Sequence, residues 1–200
     1  MQVRKRVTAQ ATPYQLSLHV RHPSVDPAEI SRELSLEATE SFRAGEPRES
    51  RSGVAATAVH PETYWVAVLD PLVWSAPATL AKSLRRSSGS ETTREFLAAL
   101  LPQEARVLRA RFGLEEGEAS LRGSLGWGIV LVCYCMAVRH GRFLARLREQ
   151  GGSLTLLAAV QPEALGGLRI TPEMGRQLHD LGLTVKIEMS NNREFNPDLN

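Results

Sequence analysis

The residues best suited to chemistry gather in one stretch near the start of the chain: His22, Asp26, Arg43, Glu46 and Arg48 all lie between positions 22 and 48. An imidazole beside two carboxylates could run general acid–base chemistry, and guanidinium groups could grip a carboxylate or phosphate. A small hydrolase-like enzyme could be built from this cluster. The spacing fixes no close acid–base pair, however. A solvated loop in which Arg43 and Arg48 pair with Glu40 and Glu46 uses the same residues without chemistry. The reading adopted is a non-catalytic protein- or ligand-binding module of the immunity or accessory type. In it, His22, Arg43, Arg48 and Trp65 contact a protein or an acidic ligand; the sequence leans against an enzyme without deciding the matter.

Other reactive residues carry less. Cys133 and Cys135 could join His140 around a soft metal, but positions i and i+2 of a helix point about 200° apart. Two buried thiols are the simpler reading, and no metal is expected. The run Gly123-Ser124-Leu125-Gly126-Trp127-Gly128 lacks the lysine of a phosphate loop and the spacing of a dinucleotide fingerprint. It reads as a hinge, and no cofactor is expected. Histidines are scattered: His19 on the outward face of a strand, His22 and His60 in turns, His140 and His179 in helices. Trp74 sits between Pro71 and Pro77, where an indole is either a plug or an exposed contact.

Elements able to position these residues follow from periodicity. Tyr14, Leu16, Leu18 and Val20 alternate with polar partners, the pattern of a strand with one buried face. Asp26 then offers an N-cap and Pro27 a first helical residue, predicting a helix to about Leu34. The chain is polar from Ser35 to Gly53. Strands are predicted at 54–59 and 64–69, joined by a four-residue loop, with Trp65 in the core or at a binding edge. Short helices are expected around Leu80–Leu84, behind the capping box Thr92–Glu95, and at 103–112, with a flexible joint at Ser87–Ser90. Leu125 to Val138 is an apolar run too short for the ~20 residues of a membrane span. It predicts a helix buried all round that continues into an amphipathic segment ending at Gly151-Gly152. A strand at 153–160, a helix from Thr171-Pro172 to Gly182 and an alternating strand from Leu183 to Met189 close the pattern, leaving a polar tail at 191–200.

This order predicts an α+β fold, an antiparallel or mixed sheet with helices packed on one face, which two ferredoxin-like halves could build. One domain over 1–190, with a helical insertion at about 102–139, accounts for the whole. The composition is that of a globular protein, and 24 basic against 22 acidic side chains leave a net charge of +2. That balance is too even to advertise a polyanionic partner. Two cysteines one residue apart cannot staple a fold, which fits a reducing cytoplasm, with no membrane partner.

The segment Leu16 to Arg48, with His22-Pro23-Ser24-Val25-Asp26-Pro27 and Arg43-Ala44-Gly45-Glu46-Pro47-Arg48, resembles the bacterial family catalogued as domain of unknown function 4279. Tyr64-Trp65 and the stretch from Gly167 to Met189 are similar to its later motifs. The resemblance implies a small α+β fold in a bacterial cytosol and carries no reaction or catalytic residue. Residues 99–118 are similar to the first helix of the promoter-binding region of bacterial primary sigma factors. There a recognition helix would follow; here Trp127-Gly128-Ile129-Val130 follows, which cannot hydrogen-bond a groove edge. A weak nucleic-acid binder acting through 103–112 is therefore a third reading, and no sequence-specific nucleic acid is expected.

Overall fold

The computed structural model describes residues 14–48, 58–75, 125–161 and 170–189. The helices expected near 80–84, 92–101 and 103–112, the Ser87–Ser90 joint and the tail from Asn191 lie outside these residues. So does the strand expected at 54–59, except at its end.

Strand β1 (Tyr14–His22) leads through a turn into α1 (Pro27–Leu34), then β2 (Glu40–Phe42) and β3 (Thr63–Leu69). A short helix α2 (Pro71–Ser75) follows, and after it α3 (Leu125–Cys135), a π turn (Met136–His140), α4 (Gly141–Glu149), β4 (Ser153–Val160), α5 (Pro172–Leu181) and β5 (Leu183–Met189). The sheet order is β2-β3-β1-β4-β5. All neighbours are antiparallel except β4 and β5, which run parallel. The fold is thus α+β with a mixed sheet. The order β2-β3-β1-β4 is that of one βαββαβ ferredoxin-like unit. Of the two such halves that could have built the sheet, the described residues hold one, extended by a single α5–β5 step alongside β4.

The alternation of β1 sorts its side chains as expected. Leu16, Leu18 and Val20 are fully buried, opposite Leu69, Ala67 and Trp65 on β3 and Ala158, Leu156 and Leu154 on β4. Ile30 and Leu34 of α1, Ile129 and Leu131 of α3, Leu144 and Leu147 of α4 and Met174 and Leu181 of α5 close over that side in one core. Gln15, Ser17 and His19 face the other way, half-buried. On that face His19 is hydrogen-bonded to Ser17 Oγ (2.9 Å) and Tyr64 Oη (2.9 Å), and Arg21 lies over the Tyr64 ring.

Helix α3 is buried on nearly every side. Gly126 and Gly128 are part of it and form no hinge. A Cβ on Gly128 would sit 2.7 Å from Tyr14 Oη, so glycine lets the helix press against β1. The whole run Leu125–Glu149, 25 residues, is long and apolar enough to cross a membrane by length and hydropathy alone. Its place in the core accounts for that composition. The π turn separates the all-round buried half from the amphipathic α4, and His140 within it stacks on Trp74 with ring centroids 5.5 Å apart. Trp74 is a plug: its indole N–H donates to Leu34 O at 3.0 Å, and Arg139 donates to its carbonyl. Burial pushes the Cys133 thiol up to about 12 and the Cys135 thiol to about 11, which keeps both protonated and inert.

Candidate functional site

Helix α1 starts where Asp26 Oδ1 accepts from Ala28 N–H at 2.8 Å, with Pro27 pre-set at the first helical position. The turn leading there is organised by His22. Its Nδ1 accepts from the N–H groups of Ser24 (3.0 Å) and Val25 (2.9 Å), so the ring is neutral with its proton on Nε2. Nε2 is buried and makes no hydrogen bond of good geometry. Burial lowers the His22 pKa below 6.5, against a smaller opposing effect of the Gln150 side chain.

Across from this turn, the chain after β2 bends back as a ribbon. Gly45 N–H donates to His60 O (2.8 Å), His60 N–H to Glu46 O (2.9 Å) and Arg48 N–H to Ala58 O (3.0 Å), while Pro47 bridges Val59. Thr63, fully buried, ties ribbon to turn: its hydroxyl donates to Val25 O (2.8 Å) and accepts from Ala44 N–H (3.1 Å). Phe42 stacks between His60 (3.7 Å) and Tyr64 (5.1 Å) and props the ribbon's base.

Between turn and ribbon lies a cleft of about 370 Å³ lined by Asp26, Pro27, Ala28, Ser31, Ser41, Phe42, Arg43 and Glu46. That is within the range of small-ligand sites. The Arg43 guanidinium stands 3.4 Å from Asp26 Oδ2, and both side chains are about half exposed. The carboxylates are occupied with backbone: Asp26 caps α1, and Glu46 Oε2 accepts from Arg43 N–H at 2.8 Å. Ser31 Oγ accepts from the Trp65 indole N–H at 2.9 Å. No hydrogen bond couples a nucleophile to a base in this cleft among the described residues. No group of three or more side chains suited to a metal occurs among them either.

The four residues expected to make contacts part company here. Arg43 lines the cleft. Arg48 is exposed on the ribbon just beyond it. Trp65 and His22 are interior: Trp65 is fully buried over Ser31, and His22 is 3% exposed beneath the turn. Neither lines the cleft, because the odd residues of β3 and the even residues of β1 all point into the core. Ser31, Ser41 and Phe42 escaped the sequence reading. Phe42 carried a signal, as an aromatic residue in an otherwise polar stretch.

No family model, curated protein or solved structure matches this chain.

Proposed function

We propose that this protein is a non-catalytic binding module of the bacterial cytoplasm that takes a carboxylate-bearing protein or ligand in the cleft between α1 and the ribbon. The observation that carries this reading is the Arg43 guanidinium, held at the cleft by a contact to Asp26 of only 3.4 Å. An incoming carboxylate can replace that half-exposed contact with a bidentate one, which is shorter and stronger. Arg48 adds a second positive group on the same ribbon. The hydrogen bonds to which Asp26, Glu46 and Ser31 are already committed favour binding over turnover.

The test is a titration of isotope-labelled protein with a poly-glutamate peptide, followed by amide chemical shifts. Ala28, Ala44 and Gly45 should move while β4 and β5 stay still. In the Arg43→Ala/Arg48→Ala variant the shifts should vanish, with stability changed by less than about 1 kcal/mol because exposed ion pairs contribute little. Shifts that survive in the variant, or a variant that unfolds, would make the ribbon structural.

A further inference from the structure

The last strand of the sheet carries a pattern that the cleft does not explain. Leu183, Val185, Ile187 and Met189 lie on the side of β5 that faces the helices, and Thr184, Lys186 and Glu188 on the other. Ile187 and Met189 are nonetheless 41% and 55% exposed. β5 is a sheet edge, and its outer side meets no strand among the described residues.

Edge strands are normally defended against pairing by shortness, by proline, or by charges that repel an incoming copy. β5 has seven residues and no proline. Its two charges, Lys186 and Glu188, are of opposite sign, about half exposed, and paired to each other along the strand. Opposite signs two residues apart do not repel a copy of the same strand. With a second chain laid antiparallel and the two-fold axis at Ile187, Lys186 stands opposite Glu188 of the second copy and Glu188 opposite its Lys186. On the helix side, Ile187 meets Ile187 of the second copy and Val185 meets its Met189. Centring the axis on Lys186 or on Glu188 instead sets like charges face to face, and centring it on Val185 sets Lys186 opposite Thr184, so among these registers only the one about Ile187 pairs opposite charges.

We propose that β5 is a dimerisation strand, at which a second copy of this chain pairs antiparallel about Ile187 and continues the sheet. Such a contact is isologous and closed, and it shelters the two exposed apolar side chains of each copy. The in-strand Lys186–Glu188 pair exchanges for two cross-strand pairs, so no charge loses its partner.

Sedimentation equilibrium on the full chain tests this. The wild-type chain should associate reversibly to twice the single-chain mass. Lys186→Glu and Glu188→Lys each place two like-charge pairs in the contact and should raise the dissociation constant about tenfold or more. An equimolar mixture of these two variants should dimerise again, because each then meets its opposite. The double variant K186E/E188K should pair like the wild type, and it serves as the reference if a single variant folds poorly. A wild-type chain that stays monomeric overturns the proposal, as do single reversals that leave association unchanged or a mixture and double variant that fail to recover it.

Discussion

At one edge of the sheet β2 is three residues long and is continued by a ribbon that bends back on residues 58–60; at the other, β5 runs seven residues with no strand beyond it among the described residues. Turn hydrogen bonds, the buried Thr63 hydroxyl and the Phe42 stack secure the first edge, which presents side chains around a cleft. The second presents its backbone, bordered by alternating charge and apolar side chains. Length and charge order, rather than hydrophobicity, separate the two: a short locked edge suits a compact charged ligand, and a long regular edge suits another strand.

The largest expected effect tests whether the first edge rests on its core. Trp65→Ala removes a fully buried indole and its bond to Ser31 and should destabilise the protein by about 3–5 kcal/mol, read from chemical denaturation. A contact residue would instead lose binding with the fold intact. At the second edge, Gly182 enters β5 with φ of +59° as the C-cap of α5. Gly182→Ala should cost about 1–2 kcal/mol, because a Cβ strains the left-handed conformation. Hydrogen exchange should then rise in β5 and stay unchanged at Ala28 and Ala44. If exchange rises equally in both places, the edges are one cooperative unit and the comparison fails.

The smallest effect is one of pH. Unfolded His22 titrates near 6.5 and folded His22 below it, so between the two values the unfolded chain binds the extra proton. Stability is fully present above 6.5 and declines as pH falls through the folded value. Protonation of Nδ1 also removes the acceptor for Ser24 and Val25. Amide exchange at those two residues should quicken on acidification before that of β5 does. Burial lowers His19 and His140 in the same direction, so His22→Gln should flatten the stability profile only in part.

Much of this was legible from local pattern. The alternation of β1, the Asp26-Pro27 start of α1, the all-round apolar α3 and the Gly182 cap each depend on neighbours in sequence, and each is where the pattern put it. What escaped depends on pairing between distant segments. Nothing near Trp65 says that Ser31 waits for its N–H, and nothing near His22 says that the ring turns inward to receive Ser24 and Val25. The single ferredoxin-like order was hidden for the same reason, because strands β1 and β4 pair across more than half of the chain. Of the candidate site, Arg43 and Arg48 could be read as exposed polar residues of a turn. Whether His22 and Trp65 reached it turned on which way two strands faced.

The central place of β1 has a consequence during protein synthesis. β1 is made before every other strand of this sheet, yet its two flanks are filled by Thr63–Leu69 and then by Ser153–Val160. A nascent chain that has left the ribosome as far as β3 has one edge of β1 covered, while the other, backed by Leu16, Leu18 and Val20, stays open until β4 emerges. Long-range pairing of this kind is slow and exposes sticky surface meanwhile. Until β4 emerges, that bare flank is an edge at which another chain can pair.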